Sequence, residues 1–283
     1  MIRYAIAGFG SIAEKRLARE GFHNAKHALL AGVFDRDPQR RAAAEAYGAK
    51  WYDSLEELCA DPGIDAVIVA VNNSGHAGTA LAALNAGKHV LVEKPLATTL
   101  SDAEAMAETA RRQGRVLSVD HMMLHNARNR SAARLIQSGE IGTVNDFRVH
   151  MEFAFGYTPA EAASWRCSSV AELGGPVGDV ASHCFYVTEA LIGRRIAALA
   201  AVYYPKWMAT AAEDGALIRL RLENGVEGSI AVSFCDRRGG ARETSGSLGY
   251  EFYGDNGVLR GFGTMFQFSG LPEEPIRQRL ELD

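Results

Sequence analysis

The chain has 283 residues, of which 47% are hydrophobic and 23% charged, so it is long enough for one large domain or two ordinary domains with real cores. Its formal net charge of −4 and the lack of a basic run argue against a nucleic-acid partner, and no apolar stretch is long enough to span a bilayer. The first residues pass directly into an apolar strand without room for a signal peptide, and the four cysteines form no CxxC pair. We therefore expect a cytoplasmic protein with reduced thiols and no bound metal.

The first motif joins a short apolar strand, residues 2–7, to a helix that runs from Ile12 to about Glu20. The sequence between strand and helix has the form GxGxxA. Gly8 allows a tight turn, Gly10 lets the backbone approach a pyrophosphate, and the helix N-terminus attracts the phosphate charge. In this context the motif predicts a dinucleotide site rather than an ordinary glycine turn, and the predicted cofactor contacts are Gly8, Phe9, Gly10, Ser11 and Ile12.

The second strand, residues 28–34, ends at Asp35. A carboxylate at this point accepts hydrogen bonds from a ribose 2′-hydroxyl, which favours NAD over NADP. Arg36 follows directly and Arg40 lies nearby, and either would suit a 2′-phosphate, so NADP stays open as an alternative. The alternative interpretation is that Asp35 is only a turn residue without a cofactor contact. A helix over residues 39–47, closed by Gly48, follows.

The next predicted strand, residues 65–71, is continuously apolar, as expected of a buried parallel strand. Asn72 and Asn73 stand at its carboxyl end. Asn73 suits the ribose or nicotinamide of a cofactor, or else it is the N-cap of the following helix. His76 opens that helix and is more easily explained by a structural role.

Residues 90–92 predict a further buried strand, and Glu93-Lys94-Pro95 follows it. Proline disfavours a helical conformation for the residue before it, so Lys94 is held at the carboxyl end of the strand. Ligands of open α/β sheets bind at that edge. Alone, such a lysine would be an ordinary solvated residue; the motifs around it favour a functional one.

Strands and helices continue to alternate with short links as far as Val116–Val119, which is followed by Asp120 and His121. This alternation predicts a doubly wound parallel sheet, so we assign residues 1–120 to a Rossmann dinucleotide-binding domain. His121 and His125 lie beyond the carboxyl end of a strand, where they would face a ligand.

From Val144 the apolar period changes to two, which predicts a half-buried antiparallel strand with one wet face. Residues 196–204, a hairpin with an Asn224-Gly225 turn and a second hairpin at residues 248–259 complete the sheet. Residues 121–283 are therefore predicted to be an α+β domain with an open, mainly antiparallel sheet. Open sheet faces commonly pair with a copy of themselves, so we expect a homo-oligomer, a dimer or tetramer, formed through this sheet.

One helix in this half stands apart, because a glycine-rich segment, residues 174–178, precedes it. The helix is predicted from Asp179 to Ile192, with Asp179, His183 and Tyr186 at i, i+4 and i+7 on one face. A carboxylate one turn from a histidine raises the basicity of the imidazole and fixes its orientation. The alternative is an N-terminal acid and a core histidine.

Five motifs together resemble the Gfo/Idh/MocA family of NAD(P)-dependent oxidoreductases, which includes glucose–fructose oxidoreductase and inositol dehydrogenases. They are GFGSIA at residue 8, VNNSGH at 71, EKPLA at 93, WR at 165 and GGPVGDVASH at 174. The resemblance implies that Lys94, Asp179 and His183 are catalytic. It adds Asp35, Arg36, Asn72, Asn73, His76, Glu93 and Lys94 to the predicted cofactor contacts, and it makes His121, Trp165, Arg166, Asp179 and His183 the predicted substrate contacts.

The implied reaction moves a hydride between the nicotinamide and a carbinol or carbonyl carbon of a sugar, inositol or related polyol, bound as a small-molecule substrate. Two alternatives stay open: an NAD-dependent glycosidase of the same fold, and a non-catalytic NAD(P)-binding regulator. The sequence departs from the family in having Ala13 as the third fingerprint residue and in being short at its C-terminal end. The segment Leu271–Pro275 contains few core residues.

Overall fold

A computed structural model describes residues 1–235, 248–262, 265–269 and 278–281 of the chain. The predicted tail segment at residues 271–275 lies outside this part. The chain divides into two compact units, Met1–Asp120 and His121–Asp283. No helix among the described residues is both long and apolar enough to cross a membrane.

Unit 1 contains a six-stranded sheet in which neighbouring strands are all parallel. Its strands are β1 (Ile2–Ala7), β2 (Ala28–Phe34), β3 (Lys50–Tyr52), β4 (Ala66–Val69), β5 (His89–Val92) and β6 (Leu117–Val119). Their order in the sheet is β3-β2-β1-β4-β5-β6. This is the order of a Rossmann fold, so the predicted doubly wound parallel sheet is confirmed.

The helices of unit 1 connect these strands. They are a π-helix (Ala13–Phe22), α1 (Arg41–Glu45), α2 (Leu55–Ala60), α3 (His76–Asn85) and α4 (Leu100–Arg112), with short 3-10 turns at Pro38–Arg40 and Asn73–Gly75. The structure has a shorter helix than the one predicted over residues 39–47, because a 3-10 turn occupies the first of these residues. Strand β3 and helix α2 were not predicted, because a three-residue edge strand shows no clear apolar period.

The central strands of unit 1 are buried on both faces. All four residues of β4 are buried, and Val90 and Val92 of β5 are at most 2% exposed. Such strands have to be covered by helices on both sides, and α3 supplies its alanine-rich face, with Ala80 and Ala83 fully buried. This packing fixes the carboxyl ends of β1, β4 and β5 side by side.

Unit 2 contains an eight-stranded sheet with helices on one face. Its strands are β7 (Val144–Glu152), β8 (Ile196–Tyr203), β9 (Gly215–Leu222), β10 (Glu227–Ser233), β11 (Gly249–Gly254), β12 (Gly257–Phe262), β13 (Met265–Ser269) and β14 (Gln278–Glu281). Its helices are α5 (Ala127–Gln137), α6 (Pro159–Ala163), α7 (Trp165–Ser168), α8 (Gly175–Asp179) and α9 (Ala181–Ile192), with 3-10 turns at Met122–His125 and Val170–Glu172.

The strand order of this sheet is β14-β13-β12-β11-β7-β10-β9-β8, and its pairs are antiparallel except for one. Both predicted hairpins are present, β9–β10 and β11–β12. Strand β7 pairs antiparallel with β11 but parallel with β10. The prediction that β7 is simply an antiparallel strand was therefore wrong on one side, because alternation shows which face is buried but not which neighbour a strand takes.

Helices α5 and α9 cover one face of the sheet. Apolar residues of α9, such as Val187 and Leu191, join Phe147 of β7 and Ile230 of β10 in one buried cluster. The polar residues that alternate with the buried apolar ones lie on the opposite face. Among them is Arg219 of β9, whose side chain is 66% exposed. The sheet is thus mixed, mainly antiparallel and open on one side, as predicted.

Candidate active site

The phosphate-binding turn predicted between β1 and the π-helix has the shape that a dinucleotide requires. Gly8 has a φ of +94°, and a Cβ there would lie 2.6 Å from the Val71 nitrogen, so glycine is needed. A Cβ at Gly10 would meet no described heavy atom within 4 Å, so this position opens onto space. Ser11 and Ile12, beside the start of the helix, are exposed. Open backbone at a helix N-terminus fits the pyrophosphate of NAD.

Asp35 closes this turn from the end of β2. Its Oδ2 accepts the backbone N–H of Phe9 at 2.5 Å, and its Oδ1 accepts the N–H of Asp37 at 2.8 Å. Each carboxylate oxygen has two lone pairs, so a ribose hydroxyl can still donate to Asp35. Phe9 is fully buried and its N–H already donates to Asp35, so its cofactor contact stays a prediction. The neighbouring Arg36 is exposed.

The segment after β4 holds the two asparagines predicted at the cofactor. Asn72 donates from Nδ2 to the Ser74 Oγ at 2.8 Å, and Asn73 is 6% exposed. Gly75 is the residue before α3, and the residue before the 3-10 turn is Asn72, so Asn73 caps neither element. The N-cap alternative for Asn73 was therefore wrong, and its cofactor contact stays a prediction.

His76 is 1% exposed and lies against two backbone carbonyls. Its Nδ1 is 2.8 Å from the Pro95 oxygen and its Nε2 is 3.2 Å from the Val71 oxygen. A carbonyl accepts only from a protonated nitrogen, so a neutral imidazole donates to one of the two. The ring thereby links the start of α3 to the segment that contains Lys94, which is the structural role expected of it. Its cofactor contact stays a prediction.

The segment that follows β5 places two carboxyl groups beside Lys94. Val92 of β5 pairs in register with Val119 of β6, so Glu93 and Asp120 occupy neighbouring positions at the ends of adjacent strands. Burial, and then the charge of Asp120, raise the pKa of Glu93 to about 7, whereas the charge of Lys94 acts in the opposite direction. Lys94 itself is half-buried and is joined to Pro95 by a cis peptide bond.

In unit 2, the rings of His121 and His183 both contact Tyr186. The hydroxyl of Tyr186 lies 2.7 Å from the His183 Nδ1. The His121 ring stacks on the Tyr186 ring with 4.1 Å between centroids and 15° between planes. Tyr186 and His183 are 8% and 9% exposed. The predicted substrate contacts His121 and His183 thus both contact Tyr186, which was not among the predicted site residues although its spacing from His183 was visible in the sequence. His125 is exposed.

Asp179 forms an ion pair with Arg166. The Arg166 Nε donates to the Asp179 Oδ2 at 3.0 Å, and the guanidinium lies 4.5 Å from the centroid of the Trp165 ring. The side chain of Asp179 is 9% exposed, and that of Arg166 is 31% exposed. Arg166 of the WR motif and Asp179, both predicted to contact the substrate, are therefore joined in one ion pair.

The predicted single helix from Asp179 to Ile192 was wrong, because it begins only at Ala181. Gly175–Asp179 form a separate short helix, α8, and Val180 between the helices has a φ of −104°. Gly175 has a φ of +86°, and Glu213 accepts the backbone N–H of Val177 at 2.9 Å. A Cβ at Gly175 would overlap that Glu213 carboxylate. The glycine-rich sequence therefore makes room for an acid that holds the start of α8, a contact that the sequence did not reveal.

Two family models match the chain. Residues 2–121 match an oxidoreductase family with an NAD-binding Rossmann fold, and residues 129–260 match the GFO/IDH/MocA C-terminal domain. The chain is similar to a 1,5-anhydro-D-fructose reductase of Ensifer adhaerens, with 32% identity over 92% of this chain and 77% of that protein. It is also similar to a levoglucosan dehydrogenase of Pseudarthrobacter phenanthrenivorans, with 30% identity over 68% of this chain and 49% of that protein.

Among solved structures, an NAD-binding oxidoreductase from Klebsiella pneumoniae superposes with a TM-score of 0.83 at 26% identity. That likeness covers 98% of this chain and 78% of the solved one. The two matched regions together cover residues 2–121 and 129–260. The chain therefore belongs to the Gfo/Idh/MocA family of NAD-binding oxidoreductases.

Proposed function

We propose that this oxidoreductase transfers a hydride between NAD and a carbinol or carbonyl carbon of a sugar, inositol or related polyol. The observation that carries the proposal is the set of side chains at the carboxyl edge of the unit 1 sheet. The Gly8 turn, Asn73 and Lys94 follow β1, β4 and β5, which are neighbours in that sheet. A nucleotide site and a cationic side chain thus lie on one edge.

The cofactor roles follow from the geometry of unit 1. The open backbone at Gly10 and the helix N-terminus would hold the pyrophosphate, and Asp35 would accept a hydrogen bond from the adenosine ribose. A carboxylate repels a 2′-phosphate, so we propose NAD rather than NADP. Asn73, Glu93 and Lys94 would lie toward the nicotinamide half, because they follow the strands on the other side of β1.

The chemistry divides between a hydride and a proton. When an alcohol is oxidised, its carbon gives up a hydride and its hydroxyl gives up a proton, and a carbonyl remains. NAD, when bound, supplies the acceptor for the hydride. We assign the proton to His183 and assign Lys94 as the hydrogen-bond donor to the substrate oxygen, where its charge stabilises alkoxide character. Reduction runs the same transfers backwards.

The substrate class rests on the relatives and on the polar side chains of unit 2. Two of the similar proteins named above, the 1,5-anhydro-D-fructose reductase and the levoglucosan dehydrogenase, act by their names on sugar derivatives. The Arg166–Asp179 pair offers both donors and a carboxylate acceptor, which suit the vicinal hydroxyl groups of a sugar or polyol.

We also propose that the protein is a cytoplasmic homo-oligomer that associates through the unit 2 sheet. Apolar side chains are exposed on and beside its edge strand β8: Leu199 at 59%, Val202 at 71% and Tyr203 at 59%. Leu217 of the neighbouring β9 is 44% exposed. Val202 pairs in register with Leu217, so these two side chains lie on one face of the sheet, whereas Leu199 and Tyr203 lie on the other. Exposed apolar side chains on an edge strand commonly mark an interface. No disulfide joins any of the four cysteines, all of which lie in the described residues, and this supports a reducing compartment.

The direct test is a screen of sugars, anhydro-sugars, inositols and polyols for NADH formation, and of the corresponding ketones for NADH consumption. We expect at least one member to turn over with NAD and to lose activity in the Lys94→Ala and His183→Ala variants. If no member of the panel forms or consumes NADH, the proposed activity is contradicted. Hydrolysis of a glycoside without net NADH would instead identify the glycosidase, and NAD binding without either reaction would identify the regulator.

A further inference from the structure

Tyr186 lies in the first two turns of α9, three residues after His183, so the two side chains share a face of the helix. The Tyr186 hydroxyl and the His183 Nδ1 are 2.7 Å apart, and the two rings meet at 71° with 5.4 Å between centroids. This is a short hydrogen bond between two buried side chains, and it engages the δ nitrogen of the imidazole.

The engaged nitrogen decides what the other nitrogen can do. In a neutral imidazole one nitrogen carries the proton and the other holds a lone pair. If Nδ1 donates to the Tyr186 oxygen, Nε2 holds the lone pair and can accept a proton from an alcohol. If Tyr186 donates instead, Nε2 carries a proton and the imidazole cannot act as a base at that atom.

His121 restricts the phenol from its other side. The two rings are stacked at 4.1 Å and 15°, and Tyr186 is 8% exposed, so its ring has little room to rotate away from His183. His121 precedes the 3-10 turn Met122–His125, which packs against α9. The Tyr186 hydroxyl is therefore held at His183 by packing from a second element.

We propose that Tyr186 is a positioning residue for His183: its hydroxyl oxygen accepts a hydrogen bond from Nδ1–H and so presents the Nε2 lone pair to the substrate hydroxyl. This inference rests on the proposed function of His183 as the proton acceptor. A hydroxyl oxygen accepts from Nδ1–H in both the neutral imidazole and the imidazolium. The same contact therefore serves alcohol oxidation and carbonyl reduction.

Tyr186→Phe is the variant that isolates this contact, because it keeps the ring stacked on His121 and removes only the hydroxyl. The matched control is Tyr253→Phe in β11, which also removes a hydroxyl with a 2.7 Å hydrogen bond, made to Glu251. The measurements are the ¹⁵N NMR signals of the His183 ring, identified by their loss in His183→Ala, and the single-turnover rate of hydride transfer. NAD titration of each variant reports on cofactor binding.

In the unsubstituted protein we expect His183 to carry its proton on Nδ1. In Tyr186→Phe we expect a mixture of tautomers and a rate about 5- to 10-fold lower, as the loss of one hydrogen bond would give. NAD affinity should not change, and Tyr253→Phe should match the unsubstituted protein in all three measurements.

A His183 protonated on Nε2 in the unsubstituted protein would overturn the inference, and this measurement needs no variant to fold. An unchanged tautomer and rate in Tyr186→Phe would also overturn it. These failures differ from a failure of the proposed function, which would appear as a near-normal hydride-transfer rate in His183→Ala.

Discussion

The carboxylate of Asp35 accepts the backbone N–H of Phe9 at 2.5 Å, so the acid at the end of β2 is bonded to the glycine-rich turn at the end of β1. The two elements proposed to act on different parts of the cofactor are thus joined by a hydrogen bond within the protein. Replacement of Asp35 should therefore disturb the pyrophosphate contacts as well as the ribose contact.

Asp35→Ala should weaken NAD binding by roughly tenfold or more, because it removes a charge-assisted hydrogen bond to Phe9 together with the acceptor for the ribose. Asp35→Asn should weaken NAD binding less than Asp35→Ala does. It should also reduce the preference for NAD over NADP, since the repulsion of a 2′-phosphate disappears. Fluorescence titration with NADH and NADPH measures both effects. Asp37→Asn removes the same charge two residues away and is the control; an equal loss there would contradict the assignment.

Lys94→Ala and His183→Ala should each lower the rate of hydride transfer by about 10²–10⁴, because each removes a group that we propose to act on the reacting oxygen or its proton. The dissociation constant for NAD should change little, since the pyrophosphate turn is intact in both variants. Single-turnover kinetics with cofactor titration checks both statements. Lys26→Ala, at an exposed lysine of unit 1, provides the control and should behave as the unsubstituted protein.

Asp179→Asn and Arg166→Gln address the ion pair in unit 2. Each removes one member of the Arg166–Asp179 hydrogen bond, so we expect each to raise KM for the substrate and to destabilise unit 2, on the order of 1–3 kcal/mol. The double variant should be more stable than the sum of the single effects predicts, because neither charge is then left behind. Denaturant unfolding of the four proteins of this cycle checks the coupling, and strict additivity would show that the pair contributes nothing.

Glu93 should make stability depend on pH. Its pKa in the folded protein is about 7, raised from an ordinary 4.5 chiefly by burial and secondly by Asp120. The folded state holds this proton more tightly than the unfolded chain does. The stabilising contribution is therefore complete below about pH 4.5 and is lost as the pH rises through 7.

Glu93→Gln, which resembles the protonated acid, should thus increase the free energy of unfolding at pH 8, by on the order of 1–3 kcal/mol, and should change it little near pH 4.5. Urea unfolding at the two pH values measures the difference. Glu56→Gln, at an exposed glutamate, is the control and should show no such dependence. An equal effect of Glu93→Gln at both pH values would show that Glu93 is not the titrating group.

Val202→Glu should weaken self-association if the unit 2 sheet forms the interface. It places a charge at a side chain that is 71% exposed on the edge strand β8. Val116→Glu is the matched control in unit 1, where Val116 is 61% exposed. Light scattering at micromolar protein should show smaller particles for Val202→Glu only. A monomeric unsubstituted protein would contradict the oligomer itself.

The sequence specifies the elements of unit 1 well where apolar runs and glycines coincide. Strands β1 and β2 begin and end at the predicted residues, because each is a mostly apolar run, interrupted only by Arg3 in β1 and Gly32 in β2, that leads into a polar residue or glycine. The three residues of β3 show no such pattern, because their strand character comes from pairing with β2 at the edge of the sheet. Periodicity cannot reveal an element that is fixed only by its neighbour.

The sequence motifs suggested which residues form the candidate site, but not which side chains these residues contact. The motifs pointed to Lys94, Asp179 and His183, whereas the hydrogen bonds join Asp179 to Arg166 and His183 to Tyr186. The helix break at Val180 changes the register in which the i, i+4 spacing had been counted. Partners that come from α7 or from the segment before β9 depend on tertiary packing, which a spacing argument along one helix does not contain.

The contact between Glu213 and the glycine-rich start of α8 has a consequence for mutational tolerance. The Val177 N–H donates to Glu213, and the space that the carboxylate fills is the space a side chain at Gly175 would need. The connection that leads into β9 is thereby coupled to the short helix that ends at Asp179. Random mutagenesis of this protein should therefore find activity-altering substitutions in the β8–β9 connection, at residues that need not touch a substrate.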